Sequence, residues 1–167
     1  MRKKRRILCF VFLMALVIIV PELTWAEEPK EIKIGATLAL SGRFKGIVGT
    51  FDKLGDEWAG LVNERGGIYV KEYGKKLPIK FEIYDDASKP ENARKFYEKM
   101  ATDPSIAFFM GPFSSFISNA AITVAGKHKI PMQMVCGNDA VLFEKPNYWR
   151  VGSLVPAEDE WERLAAL

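Results

Sequence analysis

The feature that most constrains the fold of this chain is a regular alternation between short apolar strand patterns and longer helical patterns. The strand patterns lie at residues 31–40, 78–84, 106–110, 131–135 and 149–151. Helical patterns cover residues 49–63, the segment that Pro90 opens, a segment from Ser114 or Ser115 to about Lys127, and the residues from Pro156 onwards. Such alternation predicts a parallel sheet with helices on both faces. We therefore expect an α/β fold built on an open, Rossmann-like parallel sheet.

The spacing of apolar residues within two of the helical patterns indicates which side chains enter the core. Leu54 and Trp58 are four residues apart in the first helical pattern, which places them on one helix face. Phe96 and Tyr97 belong to the apolar face of the helix that follows Pro90. We expect Trp58, Phe96 and Tyr97 to be core residues rather than parts of a cofactor site.

Residues 1–26 have the layout of a secretory signal peptide. A basic start at residues 2–6 precedes an uninterrupted apolar run of 14 residues at 7–20. Thr24 and Ala26 then supply small residues for a cleavage site after Ala26. An uncleaved anchor is the alternative, but a membrane span needs about 20 apolar residues. We expect an exported, periplasmic protein.

The charge that remains after cleavage excludes one class of partner. Cleavage removes five of the 24 basic residues and one of the 21 acidic residues, which leaves 19 against 20. No basic patch is left, so nucleic acid is not an expected partner.

One cysteine remains, Cys136, and the only histidine, His128, lies between two lysines at a predicted helix end. No metal motif is present in the sequence, and no cofactor is expected.

Three polar turns follow predicted strands: Ser41-Gly42, Ser114-Ser115 and the turn over residues 137–139. Ligands of open α/β sheets bind beyond the carboxyl ends of the strands. A serine at a helix N-terminus offers a hydroxyl beside unpaired N–H groups, a combination that binds anions such as carboxylates. The same serine can instead serve only as a helix cap. From position alone, both interpretations of Ser114 and Ser115 stay open.

Six segments, taken in order, resemble a known family: IKIGATLALSG, NERGGI, FEIYDDASKPENA, FFMGPFSSFISNAA, IPMQMV and YWRVG. Together they are similar to the type I periplasmic binding proteins, in particular the branched-chain amino-acid (Leu/Ile/Val-binding protein-like) branch. The resemblance covers about residues 31–160. It implies a secreted receptor of two lobes that delivers a small ligand to the membrane subunits of an ABC importer. Residues 27–152 would form the first ligand-binding lobe, and residues 153–167 the hinge and the truncated start of a second lobe that is otherwise missing.

The resemblance also implies roles for individual residues. Ser115, with Ser114 one place before it, matches the serine that binds the carboxylate of the ligand. Cys136 occupies the place whose backbone carbonyl receives the amino group of the ligand. Asn138 stands where the family usually has a serine or threonine, and an amide can both donate and accept hydrogen bonds.

Two further positions depart from the family pattern. The loop after Ser41 often carries an aromatic side chain that packs on the ligand, and here it contains Phe44, while Val48 falls near the usual aromatic place. Asp139 adds a negative charge near the cleft or caps the short helix that follows. Because of these departures, a different amino acid, an amide or an aromatic acid competes with leucine as the expected ligand.

Two rival functions share parts of this pattern. The same fold serves as the extracellular ligand-sensing domain of signalling receptors, which would require a transmembrane helix and a signalling domain. A secreted hydrolase would need a nucleophile next to a base, and the sequence has a lone His128 and no GxSxG motif. The acidic pair Asp85-Asp86 is similar to phosphoacceptor sites, but we interpret it as a loop cap. We expect a binding protein and not an enzyme.

Overall fold

A computed structural model describes residues 28–144 and 147–165 of the chain. Within these ranges the chain forms seven strands: β1 (Ile32–Leu38), β2 (Ile68–Val70), β3 (Lys75–Leu77), β4 (Ile79–Asp85), β5 (Ile106–Met110), β6 (Met132–Met134) and β7 (Arg150–Gly152). The same described residues form five α-helices: α1 (Lys45–Val48), α2 (Phe51–Glu64), α3 (Pro90–Ala101), α4 (Ser115–His128) and α5 (Ala157–Ala165). The leader predicted at residues 1–26 lies outside the described residues. No helix within the described ranges is long and apolar enough to cross a membrane.

The central sheet has five parallel strands in the order β4-β1-β5-β6-β7. Strand β1 pairs with β4 from Ile32 opposite Ile79 to Leu38 opposite Asp85, and its other edge pairs with β5. The predicted α/β fold with a parallel sheet is therefore confirmed. The strand order reverses beside β1, and the crevice at such a reversal is where open α/β sheets bind ligands. Strands β2 and β3 form a separate antiparallel hairpin.

The main core lies between the sheet and the helices α3 and α4. Its largest members are Tyr97 and Phe109, both without solvent exposure, whose rings meet edge to face with centroids 5.0 Å apart. Such a pair contributes about 0.5–1.5 kcal/mol beyond the area it buries. Tyr97 is thus in the core as predicted. Phe96 is only partly buried and stacks on Tyr84 at 4.7 Å outside the core cluster, so the prediction that it is a core residue is wrong.

The prediction that Trp58 belongs to the core is wrong. Its side chain is 46% exposed, and Leu54 on the same face of α2 is 54% exposed. Of the residues in α2, only Ala59 is buried. The Trp58 ring reaches Phe81 of the edge strand β4 at a centroid distance of 6.2 Å. Helical periodicity predicted an apolar face correctly, but it carries no information on how much of that face another element covers.

Candidate functional site

The site is built from loops that meet at the carboxyl edge of the sheet. The strands β1, β4, β5 and β6 run parallel and therefore end at this same edge. Their loops cover residues 39–44, 86–89, 111–114 and 135–139. The three polar turns predicted from the sequence all lie in these loops, so the fold brings together segments that are up to about 100 residues apart in the chain.

The two serines at the start of α4 have different roles. Ser114 is the N-cap, and its hydroxyl accepts a hydrogen bond from the Ile117 N–H at 3.4 Å. Its backbone has φ 77° and ψ 145°, a conformation that is unfavourable for any residue except glycine. Strain of this kind is concentrated at functional sites because the surrounding structure must hold it in place.

Ser115 is not a cap; it joins α4 to the turn after β6. Its hydroxyl oxygen accepts hydrogen bonds from the N–H groups of Asn138 and Asp139, each at 3.2 Å. A serine hydroxyl has two acceptor sites and one proton. With both acceptor sites used, the Ser115 hydroxyl is left with a proton to donate. A group that only donates suits an acceptor such as a carboxylate oxygen.

The turn over residues 136–139 is tightly packed. A Cβ on Gly137 would lie 2.9 Å from Leu142 Cδ1 and 3.1 Å from Ser118 Oγ, so a side chain does not fit there without displacement. The Asp139 carboxylate accepts from the Val141 N–H at 3.1 Å, which confirms that it caps the following short 3₁₀ helix. The Asn138 carbonyl accepts from the Ala157 N–H at 2.8 Å and so ties the turn to the start of α5.

Cys136 is partly buried and directly precedes Gly137 in the chain. Burial raises the pKa of its thiol, which keeps it protonated at neutral pH. A neutral thiol behaves as a small apolar group with little reactivity. The role of its backbone carbonyl as an acceptor for the ligand stays a prediction.

Phe44 precedes α1 and belongs to an aromatic contact near the start of α4. Its ring meets the Phe113 ring edge to face at 5.4 Å, and the Arg43 guanidinium carbon lies 4.3 Å from its centre. Phe113 is two residues before Ser115, so Phe44 contacts the loop that leads into α4. Val48, the other candidate for an aromatic place, is 1% exposed and packs inside the protein.

An apolar cavity of about 270 Å³ adjoins these residues and extends between α2 and the sheet. Its lining consists of apolar side chains and glycines from both sides: Ala36, Leu38, Phe51, Leu54, Gly55, Trp58, Phe81, Ile83, Met110, Gly111, Pro112, Phe113, Val135 and Cys136. Phe113 and Cys136 line this cavity and directly precede two of the polar turns in the chain. The site therefore combines a hydroxyl donor with a neighbouring apolar wall.

The profile of a family described as periplasmic binding protein matches residues 31–159. This chain belongs to the periplasmic binding protein family. Solved structures of ABC transporter proteins have the same fold. They include the branched-chain amino acid transporter substrate binding protein LivJ from Streptococcus pneumoniae, in complex with isoleucine, at 24% identity and TM-score 0.64. The alignment covers 76% of this chain and 34% of LivJ.

Two further periplasmic binding protein structures match at lower identity. A substrate-binding protein from Desulfitobacterium hafniense in complex with Leu has 18% identity and TM-score 0.69, over 81% of this chain and 38% of the other. A solute binding protein from Rhodopseudomonas palustris in complex with 3,4-dihydroxy benzoic acid has 17% identity and TM-score 0.60, over 76% and 32%. The chain thus spans between 32% and 38% of the length of these three proteins.

In this periplasmic binding protein the residues that a hydrolase would need are far apart. Ser115 is the first residue of α4 and His128 is the last, which separates them by about 20 Å along the helix. The Nε2 atom of His128 lies 2.7 Å from Glu98 Oε2, so the histidine at the end of α4 pairs with α3. No cluster of three or more His, Cys, Asp or Glu residues that could hold a metal ion lies in the described parts of the chain.

The acidic pair Asp85-Asp86 at the end of β4 has the loop-capping role that was predicted. Asp85 accepts from the N–H groups of Ser41 and Ala87, at 3.1 Å and 2.8 Å. Asp86 is fully buried, and burial raises its pKa although hydrogen bonds from Ser88 and Thr37 oppose the shift. The sequence did not single out Ser88, because a serine in a polar loop carries no periodic signal that would distinguish it from its neighbours.

Proposed function

We propose that this chain carries the first ligand-binding lobe of an exported solute-binding protein of an ABC importer. Its ligand would be an amino acid or a related small carboxylate. The observation that carries the proposal is the Ser115 hydroxyl, whose oxygen already accepts from the Asn138 and Asp139 N–H groups. The proton that remains is a hydrogen-bond donor at the carboxyl edge of the sheet, where ligands of open α/β sheets bind.

The chemistry around Ser115 favours a carboxylate over a neutral acceptor. Ser115 begins a helix of 14 residues, and the positive end of the helix dipole adds to the attraction of an anion. A hydrogen bond to a charged group contributes about 1.5–3 kcal/mol, roughly twice the contribution of a neutral one. The backbone carbonyl of Cys136 is the proposed acceptor for the amino group of the ligand, and the Asn138 side chain adds an amide in the same turn.

The apolar half of the ligand would pack on Phe44 and Phe113. Their edge-to-face contact at 5.4 Å forms a wall beside the start of α4. The neighbouring cavity of about 270 Å³ is lined by apolar groups, which favours a ligand with an apolar side chain or ring. Leucine, phenylalanine and a benzoate-like acid all meet these requirements.

The rest of the proposed mechanism follows from the family. Residues 27–152 would form the first lobe, and residues 153–167 would lead through a hinge into a second lobe that closes over the ligand. The loaded receptor would then dock on the membrane subunits of the importer in the periplasm. We propose that it binds and releases its ligand without chemical change, since the residues at the edge contain no nucleophile beside a base.

The test is an NMR titration of the mature chain, exported with its own leader, with L-leucine, L-phenylalanine and benzoate. Because one lobe alone leaves a site open, we expect weak binding, in the millimolar range, where ΔG° is about −4 kcal/mol. The amide signals of Ser115, Asn138 and Asp139 should move in a saturable way. Glycinamide, which lacks a carboxylate, is the matched negative probe. If none of the three acids moves these signals, the proposed site is wrong.

A further inference from the structure

We infer that Ser88 is a positioning residue that fixes Phe44 at the ligand site. It acts through a clasp, by which we mean residues 85–88 at the end of β4 together with residues 41–44 after β1. The inference rests on the proposed function, because it assumes that Phe44 packs against the ligand. The clasp itself is a set of contacts that can be measured without any ligand.

The Ser88 hydroxyl bridges the two loops of the clasp. It donates to the Ser41 carbonyl at 2.9 Å and accepts from the Phe44 N–H at 3.0 Å. One hydroxyl can make both bonds at once, because it carries a proton and two acceptor sites. The backbone on both sides of Gly42 is therefore tied to one side chain that lies 44 residues further along the chain.

The backbone of Ser88 is itself fixed by a hydrogen bond to the buried carboxylate of Asp86. The Ser88 N–H donates to Asp86 Oδ1 at 2.8 Å, and Thr37 Oγ1 donates to Asp86 Oδ2 at 2.9 Å. Asp86 and Thr37 are completely buried. Asp85 holds the rest of the clasp through its bonds to the N–H groups on both loops. The clasp is thus bonded to β1 through Thr37 and to β4 through Asp85.

The backbone of the clasp is strained at Ala87 and Ser88, and the hydrogen bonds hold it in that conformation. Ala87 and Ser88 are consecutive non-glycine residues with φ 51° and 62°, in the left-handed region. That conformation costs about 1–2 kcal/mol per residue and persists only where neighbouring contacts hold it. Gly42 faces this strained turn at φ 79°, and a Cβ there would lie 2.4 Å from the Ala87 carbonyl oxygen. The two loops meet backbone to backbone, with no room for a side chain between them.

The clasp decides where the Phe44 ring lies. The same residue whose N–H is bound by Ser88 places its ring 5.4 Å from Phe113, which is two residues before Ser115 in the chain. Loss of the Ser88 hydroxyl removes the bond to the Phe44 N–H and loosens this residue, while the acid-binding group at Ser115 stays in place. A ligand that packs on Phe44 should therefore lose affinity, and one that lacks a side chain should not.

The first test measures the clasp directly by amide hydrogen exchange. In Ser88→Ala the Phe44 amide should exchange about three- to tenfold faster than in the native chain, the factor that corresponds to one hydrogen bond. The Gly111 amide, which donates to the Gln133 carbonyl at 2.6 Å, is the internal control. Thr123→Ala is the matched variant, because it removes an exposed hydroxyl that bonds only within α4. Unchanged exchange at Phe44 in Ser88→Ala would overturn the clasp.

The second test separates positioning from a general structural role. Titrations with L-phenylalanine compare the native chain, Ser88→Ala, Phe44→Ala and the double variant. Ser88→Ala should weaken binding about fivefold when Phe44 is present. It should leave binding unchanged in Phe44→Ala, because Ser88 acts on the ligand only through the Phe44 ring. Equal weakening in both backgrounds would overturn the inference. If no acid binds the native chain, the proposed function fails, while the exchange rate at Phe44 still decides the clasp.

Discussion

The hydroxyl oxygen of Ser115 lies 3.2 Å from the backbone nitrogen of Asn138, a residue 23 positions later in the chain. This bond joins the start of α4 to the turn after β6, so the two polar segments of the site form one unit. It also removes Ser115 from the capping role, which Ser114 fills. Substitutions of the two serines should therefore have different effects.

Ser115→Ala should affect both stability and binding. Loss of the hydroxyl leaves the N–H groups of Asn138 and Asp139 to water at a partly exposed site, so unfolding in urea should show a loss of about 1 kcal/mol. Affinity for carboxylate ligands should fall by about 1–3 kcal/mol in a complete receptor, as measured by calorimetry. An unchanged affinity would remove Ser115 from the site.

Ser114 should respond differently to alanine and to glycine. Both substitutions remove the cap, which contributes about 0.5–2 kcal/mol. Glycine also relieves the strain of the positive φ of 77°, whereas alanine does not. Thermal unfolding should therefore rank the native chain and Ser114→Gly close together, with Ser114→Ala clearly below. Equal stability of the two variants would show that the backbone at this position carries no strain.

Tyr97→Phe tests the polar link beneath the site. The buried hydroxyl of Tyr97 accepts from the Thr37 N–H at 3.2 Å and donates to the Met110 carbonyl at 2.5 Å. It thus connects β1 to β5 at the reversal of the strand order. Removal takes one hydrogen-bond partner from each of these two backbone groups, so the free energy of unfolding should fall by about 1–3 kcal/mol. A change below the error of the urea experiment would contradict the link.

Asp103 should make stability depend on pH in the acid range. Hydrogen bonds from Ser105, and then the bond and charge of Lys33, lower the pKa of Asp103 from 3.8 to about 2. Because the folded pKa is the lower one, the stabilisation is present above 3.8 and is lost as the pH falls towards about 2. Solvent screening keeps the effect below about 1 kcal/mol.

Asp103→Asn should flatten this part of the stability profile while leaving the profile at higher pH parallel to that of the native chain. Denaturant titrations at a series of acid pH values provide the measurement. A native profile that is already flat between pH 3.8 and about 2 would contradict the assignment.

Export should remove the leader after Ala26. The intact mass of the protein recovered from the periplasm should then correspond to a chain that begins at Glu27. Replacement of Ala26 by a bulky residue, Ala26→Phe, should block processing, whereas Glu28→Gln serves as the control just beyond the site. A mature mass that includes residues 1–26 would support the membrane-anchor alternative.

Much of the fold follows from local pattern in the sequence. The alternation of strand and helix patterns predicted the parallel sheet, and the bounds of β4, α3 and β5 agree with the structure within a few residues. Asp139 was also recognisable as a cap, because a cap and the helix it serves are neighbours in the chain. These features depend on periodicity and on contacts between residues that are close in sequence, and both are evident from the sequence alone.

The tertiary structure alone decided which serine caps α4, whether Trp58 is covered, and that Ser88 holds Phe44. Each of these outcomes depends on a partner from a distant part of the chain: the turn at residues 138–139 for Ser115, the elements packed around α2 for Trp58, and the loop after β1 for Ser88. The physical reason is that hydrogen bonds and burial are set by distances in space, whereas the periodic signal of a sequence describes only one element at a time.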